Sequence, residues 1–315
     1  MMDNTAVKNI KTKRWWQNPR TRRKGLVALA FILPGVLYYI LFHYKPMWGT
    51  LIAFQDYNPF KGFMGSKWVG LKHFANFFQS TYAPRLIKNT LAISIYSIIF
   101  SFPLPIIFAI IQNEVRFPRF RSVMQSISYF PHFISVVIIC GLIKQYLSVS
   151  DGIINAMVAA LGFEKIPFLS VPGWFRTIYI ASGVWQGVGW SSIIYYATLT
   201  SIDTSLFEAA EIDGANRFQR IWHISVPALV PTMVTLLLMQ IGNVLNVGYE
   251  KVLLLYNPST YSTSDILSTY VYRVGITQMK YSFASAVGLF NNVVGLIIVM
   301  LFNAISRKVA ETSLW

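Results

Sequence analysis

The sequence predicts an all-α integral membrane protein with six transmembrane helices and one polar cytoplasmic insert. Of its 315 residues, 54% are hydrophobic and only 12% are charged, whereas soluble domains are about 25% charged. Each of six apolar stretches has about the 20 residues that a helix needs to cross a bilayer. None of them contains Asp, Glu, Lys or Arg, and they cover residues 25–42, 90–111, 122–143, 177–199, 227–248 and 283–305.

Four prolines, Pro34, Pro103, Pro105 and Pro131, lie inside the first three of these stretches. Membrane helices tolerate proline because neighbouring helices or side chains can satisfy the backbone carbonyls that it frees. We therefore expect each stretch to form a membrane-crossing helix. Pro227 suits the first turn of the fifth one, because the first helical position needs no N–H donor.

Positive charges predict which side of the membrane each end occupies. Residues 1–24 carry eight Lys or Arg against one acid, Asp3, and such a cluster stays in the cytoplasm. Six crossings return the tail at 306–315 to the cytoplasm, together with the 112–121 loop and the insert at 200–226. The sequence thus predicts a basic segment at 1–24, a membrane domain at 25–305 and a cytoplasmic tail at 306–315. The predicted outer connections are 43–89, 144–176 and 249–282.

The net charge of +15 does not indicate nucleic-acid binding, because no soluble domain is predicted that could carry a basic patch. The positive-inside rule and anionic lipid headgroups account for the basic N-terminal segment. Cys140 is the single cysteine and lies in an apolar stretch, so we expect no disulfide and no cysteine metal cluster. The four histidines are spread widely, and the sequence predicts no catalytic residue and no metal site.

The insert between the fourth and fifth stretches predicts two short helices joined at a glycine. Good helix formers at 205–211 follow Thr204, a candidate N-cap. Gly214 can end this helix, and a second, amphipathic helix follows. Its Phe218 and Trp222 are expected to pack against the protein's own membrane helices. From these residues alone, an ordinary re-entry loop is as well supported as a docking element for a partner.

The spacing within the insert resembles the EAA loop of binding-protein-dependent ABC importer permeases. Glu208-Ala209-Ala210 is followed after three residues by Gly214 and, after nine more, by Ile224-Ser225-Val226-Pro227, where the family pattern has Leu in place of Val226. Three other segments are similar to the maltose-permease class of sugar permeases: FILPG at 31–35, FQDYN at 54–58 and VGLKHFANF at 69–77. The segment YILFHYKPM at 39–47 is similar to Gram-positive oligosaccharide permeases of the lipoprotein-gene-B type.

The resemblance implies a multi-pass permease subunit of a bacterial plasma membrane, forming half of a translocation channel for a sugar, in particular an oligosaccharide. Its implied partners are a second homologous permease, two ABC ATPase subunits, an extracytoplasmic solute-binding protein and membrane lipid. Within the EAA loop, at 203–227, the resemblance assigns ATPase coupling to Glu208, Ala209, Ala210 and Gly214.

The energy source is expected to lie in another chain. The sequence contains no P-loop, so ATP and Mg²⁺ are expected on the partner ATPases, with no cofactor and no catalysis here. The alternative is an autonomous ion-coupled secondary transporter, which usually keeps ionisable residues in the membrane. His132 is the main candidate for such a residue, and a structural histidine in the core is its favoured interpretation.

Polar and aromatic side chains in the last three stretches are candidates for the substrate pathway. Gln240, Asn243 and Asn246 lie in the fifth stretch, and the two asparagines share a helix face because they are three residues apart. Amides both donate and accept hydrogen bonds, which suits sugar hydroxyls. Interhelical hydrogen bonds also recruit such amides, and the sequence leaves both roles open. The remaining candidates are Trp185, Gln186 and Asn291.

Overall fold

The computed structural model describes residues 19–242, 245 and 248–309. Most of the basic segment predicted at 1–24 and most of the tail predicted at 306–315 therefore lie outside the described residues. The chain falls into two units, which divide between Ile52 and Ala53. Both units are mostly helical, as the sequence predicts.

In its described residues, the first unit is one long helical segment with short irregularities. Helix α1 (Pro19–Tyr39) continues through a π turn (Ile40–Tyr44) and α2 (Lys45–Met47) into a 3-10 turn (Trp48–Phe54). Pro34 lies inside α1 without ending it. The stretch Arg23–Phe54 is long and apolar enough to cross a membrane, in agreement with the first predicted span.

The second unit begins with a small hairpin. Strand β1 (Gln55–Asp56) pairs antiparallel with β2 (Lys67–Trp68), and α3 (Gly62–Gly65) lies between them, followed by α4 (Lys72–Gln79). The Lys72 Nζ atom lies 2.9 Å from Asp56 Oδ2, and this hydrogen bond holds the pKa of the Asp56 carboxyl below its ordinary value. The hairpin is thereby tied to α4.

The second predicted stretch lies in α5 (Ala83–Ser101) and α6 (Pro103–Glu114), which are separated only by Phe102. Together they form one apolar span, Ala83–Glu114. Pro103 and Pro105 fall in the first turn of α6, where backbone N–H groups lack intrahelical acceptors. The two prolines are therefore accommodated at the junction and do not stop the span.

The third predicted stretch, 122–143, is not one continuous helix, and this expectation is wrong. Helix α7 (Pro118–Tyr129) ends in a 3-10 turn (Phe130–Phe133), and α8 (Val136–Tyr146) leaves at 97° to the first part. Pro131 lies inside the turn, where its missing N–H removes a helical hydrogen bond. Ser135 then caps α8 by accepting a hydrogen bond from the Ile138 N–H. A proline followed by a new N-cap thus bends the chain.

The fourth predicted stretch forms part of a long helix, α10 (Pro172–Thr200), which follows the short α9 (Ile153–Ala160). At about 1.5 Å per residue, the 29 residues of α10 extend about 44 Å, enough to cross a bilayer. It packs closely against α6, with Tyr195 and Leu199 of α10 and Ala109 of α6 in one buried cluster. The helix predicted at 177–199 is therefore present.

After α11 (Thr204–Ile212), the chain turns into α12 (Arg217–Arg220), a π turn (Ile221–Ser225) and α13 (Val226–Gly242), which form one uninterrupted span from Arg217 to Gly242. The predictions of a separate second short helix and of a helix start at Pro227 are therefore wrong. Pro227 is the second residue after the π turn, whose wider hydrogen-bond pattern runs from the Val226 N–H to the Ile221 carbonyl. This pattern lets the helix pass through the proline.

The last part comprises α14 (Tyr249–Leu255), α15 (Tyr261–Ser264), α16 (Leu267–Tyr272), a π turn (Arg273–Thr277) and α17 (Tyr281–Val309). The sixth predicted stretch lies in α17. Among the described residues, four helical segments are long and apolar enough to cross a membrane, or five if α7 and α8 count as one broken span. Helix α10 is not among these four, so the count of six crossings stays a prediction.

A fully buried carboxylate holds several short helices of the second unit together. The side chain of Asp265 has no solvent exposure, and its Oδ2 lies 2.7 Å from the Arg273 Nη2 and 3.6 Å from the Arg85 Nη2. The Thr269 hydroxyl donates to the Asp265 Oδ1 at 3.1 Å, and the Asn89 amide donates to the Asp265 carbonyl at 3.0 Å. This network joins α5 to the segment between α15 and the final π turn.

Candidate coupling segment and substrate pathway

The coupling segment, residues 203–227, begins with a capped helix. Asp203 is the N-cap of α11, and its carboxylate accepts a hydrogen bond from the Ser205 N–H at 3.0 Å. That backbone hydrogen bond lowers the pKa of Asp203. Thr204, the candidate cap from the sequence, is instead the first helical residue, because the cap must precede the turn whose N–H groups it satisfies. The predicted helix itself is confirmed.

Helix α11 ends at a glycine in the left-handed conformation. Gly214 has a φ of +75°, its N–H donates to the Glu211 carbonyl at 3.1 Å, and the Ala215 N–H donates to the Ala210 carbonyl at 2.8 Å. These two bonds form a Schellman motif. No atom within 4 Å would meet a Cβ at Gly214. The backbone angle, and not crowding, is therefore what favours glycine, and the predicted helix stop is confirmed.

The motif residues of the coupling segment face solvent. Glu208, Ala209 and Gly214 are exposed and Ala210 is half-buried. Phe218 and Trp222 are 81% and 70% exposed, so the expected packing of these two rings on the protein's own membrane helices is wrong for this chain by itself. Small alanine side chains beside exposed rings leave a surface that a partner could approach closely.

Two ion pairs hold the coupling segment in place. The Arg217 guanidinium bonds both the Glu114 carboxylate and, at 3.2 Å, the Glu114 carbonyl at the end of α6. The Arg220 Nη1 lies 3.1 Å from the Glu211 Oε2. Exposed pairs contribute little to stability, so their main effect is to orient α11 and α12. No local signal in the sequence indicates the role of Glu114, because its partner Arg217 is 103 positions away.

The structure places Gln186 at the bend of the third stretch. Its Nε2 donates to the Ile134 carbonyl at 3.1 Å, one of the backbone groups left without a helical partner where α7 and α8 separate. Nearby, His132 stacks on Trp190 with ring centroids 4.5 Å apart and planes at 1°. His132 is exposed, so the expectation of a core histidine is wrong for this chain by itself. In this state Gln186 has a structural hydrogen bond.

Trp185 points away from Gln186, although the two are adjacent in sequence. Trp185 is 50% exposed and lines a cavity of about 670 Å³. The other walls come from α5, α6 and α10, and the residues include Tyr96, Phe100, Leu104 and Arg176. The structure therefore does not bring Trp185 and Gln186 together into one site.

Of the four amide candidates in the last two spans, the structure describes Asn291 and Gln240. Asn291, in α17, is only 6% exposed, and its Oδ1 has no hydrogen-bond partner among the described residues. Gln240 is half-buried near the end of α13, while Asn243 and Asn246 lie outside the described residues. A buried amide oxygen without a partner carries a free-energy cost.

Within the described part of the chain, no group of three or more His, Cys, Asp or Glu side chains is arranged to hold a metal ion. The buried Asp265 is occupied by arginines.

Known proteins resemble the chain over nearly its whole length. A family model described as "Binding-protein-dependent transport system inner membrane component" matches residues 101–311. In Bacillus subtilis (strain 168), the polygalacturonan/rhamnogalacturonan transport system permease protein YteP is 45% identical over 284 residues, which are 90% of this chain and 88% of that protein. Protein LplB of the same strain is 42% identical over 311 residues, 99% of this chain and 96% of that protein.

A solved structure shows the same fold. A chain from the crystal structure of a bacterial alginate ABC transporter, in complex with an alginate pentasaccharide-bound periplasmic protein, superposes with a TM-score of 0.88. It is 42% identical in sequence, and the match covers 96% of this chain and 100% of that chain. The similarity therefore extends across both described units.

Proposed function

Since the chain belongs to the family of binding-protein-dependent transport system inner membrane components, we propose that it is the permease subunit of an ATP-driven importer of oligosaccharides. Relatives named for polygalacturonan, rhamnogalacturonan and alginate transport support a saccharide as the cargo. The observation that carries the proposal is the exposed coupling segment, in which α11 ends at the left-handed Gly214 with its motif residues open to solvent.

The proposed complex contains a second homologous permease, two ABC ATPase subunits and an extracytoplasmic solute-binding protein, surrounded by membrane lipid. ATP and Mg²⁺ belong to the ATPases, since this chain contains no P-loop. The permease is therefore a non-catalytic subunit that converts ATPase motion into opening and closing of a path. Glu208, Ala209, Ala210 and Gly214 are the proposed contacts or positioning residues for the ATPase.

The continuity of the fifth span supports a direct mechanical link. Because α12, the π turn and α13 form one span from Arg217 to Gly242, a displacement of the coupling segment would move the far end of α13, where Gln240 lies. The Arg217–Glu114 pair would carry the same displacement to α6. Both consequences follow from rigid helices and need no further element.

The proposed pathway contains Gln240, Asn243, Asn246 and Asn291 as hydrogen-bonding groups for saccharide hydroxyls, with Gln186 and Trp185 as lining residues that become available in another state. The unpartnered Asn291 Oδ1 supports this role. The proposed crossing count of six consists of the four apolar segments, the broken α7–α8 pair and α10. Both termini would then be cytoplasmic.

Uptake by the reconstituted complex tests the proposed function. The permease pair, the ATPases and the binding protein are placed in lipid vesicles loaded with ATP, and acidic and neutral oligosaccharides are supplied outside. Uptake should require ATP and should continue when an ionophore collapses ion gradients. Uptake that persists without ATP and stops with the ionophore would instead establish the ion-coupled alternative.

The topology gives a separate prediction. In a Cys140→Ala background, Ser205→Cys should react with a membrane-impermeant maleimide only after the cells are opened, because Ser205 is exposed on a segment predicted to be cytoplasmic. Met64→Cys is the matched control, since Met64 is fully exposed in the hairpin predicted to lie outside, and it should react in intact cells. Reaction of Ser205→Cys in intact cells would reverse the proposed orientation.

A further inference from the structure

Lys251 is a buried cation for which the described residues offer no counter-ion. It lies in α14 and is only 7% exposed, and its Nζ has no hydrogen-bond partner among the described residues. Lysine is rarely buried to this extent unless its charge is paired, because moving an ammonium out of water carries a large free-energy cost. An anion that contacts Lys251 in another step of the transport cycle would pair this charge and offset the free-energy cost.

The surroundings of the Lys251 ammonium are aromatic and apolar. Its Nζ lies 5.2 Å from the centroid of the Tyr179 ring, a distance at which a cation is attracted by the ring face. Cys140 and Val252 belong to the apolar cluster that includes Tyr179. The ion pairs of the described residues use Asp56, Asp265, Glu114 and Glu211 as acids, so none of these carboxylates serves Lys251.

Lys251 lies beside the face of α10 that carries one candidate pathway residue, Gln186. Tyr179, Gly183, Gln186 and Trp190 are spaced by four, three and four positions along α10, so they share one face. A Cβ at Gly183 would lie 3.5 Å from the Lys251 Nζ, which shows how closely the ammonium approaches this face. The glycine leaves room beside the ammonium that a side chain would occupy.

Lys251 also lies a few residues after the three amide candidates of the fifth predicted stretch. Gln240, Asn243 and Asn246 precede it in the chain, and α14 packs against α8, the second half of the broken third span. The ammonium therefore lies where α8, α10 and α14 meet. Relative movement of these helices during transport would open the contact, whereas in the present state it is closed.

We propose that Lys251 binds a carboxylate of the transported saccharide and makes this permease selective for acidic oligosaccharides, those built from uronic acids. The proposal rests on the proposed function. Amides recognise the hydroxyls of neutral and acidic sugars alike, so the amides of the proposed pathway do not explain a preference for acidic sugars. The ammonium of Lys251 supplies that preference.

The chemistry of the ammonium favours a carboxylate over a neutral sugar. A hydrogen bond between Nζ and a carboxylate oxygen is charge-assisted and stronger than one to a hydroxyl. The ammonium of Lys251 is already out of water and held by its packing, so less ordering is needed when the anion arrives. A neutral sugar at the same place would leave the charge unpaired, which disfavours it.

Competitive uptake with matched sugars tests this role. The substrates are tri-galacturonate and its methyl ester, which keeps the ring stereochemistry and removes the charges, each measured with the complete complex in vesicles. In the Lys251→Met variant, the ratio of acidic to esterified sugar uptake should fall at least about tenfold relative to wild type, the size expected for a lost hydrogen bond to a charged group. Lys251→Arg should keep most of the preference.

Lys88→Met is the control, because Lys88 is an exposed lysine of α5 outside the proposed pathway, and its ratio should equal that of wild type. If Lys251→Met does not assemble, Lys251→Gln, which keeps hydrogen bonding and loses the charge, gives the same readout. An unchanged ratio in the charge-removing variant, or a wild-type complex that imports only the neutral ester, overturns the role of Lys251 and leaves the proposed function intact. Absence of ATP-dependent uptake of any saccharide overturns both.

Discussion

Gly214→Val is expected to reduce ATP-driven uptake at least about tenfold while the permease still inserts and assembles. Gly214 has a φ of +75°, and the left-handed region costs residues other than glycine about 1–2 kcal/mol, more for a β-branched side chain. A change of about 1.4 kcal/mol already corresponds to tenfold in rate. The two hydrogen bonds that end α11 depend on this backbone angle, so valine should disorder the turn between α11 and α12.

The measurement is uptake together with ATP hydrolysis stimulated by the loaded binding protein, both in vesicles. Gly214→Asn is the matched variant, since asparagine tolerates the left-handed region better than other residues, and it should retain most of the activity. Glu208→Ala, on the exposed face of α11, should lower stimulated hydrolysis without changing the affinity for the saccharide. Normal transport by the combined Gly214→Val and Glu208→Ala variant would remove the coupling role.

Asp265→Ala is expected to destabilise the fold strongly. The side chain is fully buried between Arg273 and Arg85, and removing one partner of a buried ion pair costs about 3–5 kcal/mol because it leaves an unpaired charge. The Thr269 hydroxyl also loses its hydrogen bond to the Asp265 carboxylate, although it keeps the Ile266 carbonyl as an acceptor. The yield of assembled complex and the midpoint of its thermal unfolding in detergent should both fall.

A second substitution separates the charge effect from a loss of packing. Replacing Arg273 with methionine in the Asp265→Ala background removes the nearer of the two stranded cations, so the double variant should recover part of the lost stability. Glu164→Ala, at an exposed position, is the control and should stay within about 0.5 kcal/mol of wild type. Equal thermal midpoints for Asp265→Ala and wild type would show that the ion pairs do not stabilise the protein.

Helix α11 and its stop at Gly214 were predictable because their signals are local. Glu208, Ala209, Ala210 and Gly214 form a fixed pattern along the chain, and a helix that ends in a left-handed glycine needs only neighbouring backbone groups. The pathway candidates behave differently. Trp185 and Gln186 are adjacent in sequence but face a cavity and a bend respectively, because each successive helical residue turns about 100° around the axis.

The sequence by itself determined that the protein is a helical membrane protein, where its apolar stretches lie and where α11 ends. Hydrophobicity and turn preference act over a few residues, so neither needs the fold. Only the tertiary structure decided how the chain continues at its prolines: Pro131 accompanies a 97° bend, whereas the helix passes through Pro227 by a π turn.

The tertiary structure likewise decided which buried charges have an ion-pair partner. Asp265 is paired because Arg273 and Arg85, the latter remote from it in the chain, both reach it, while Lys251 reaches no carboxylate among the described residues. A sequence shows that a side chain is charged, but its free energy depends on burial and on which partners the fold brings within about 4 Å. Those distances are set by packing between elements remote in the chain.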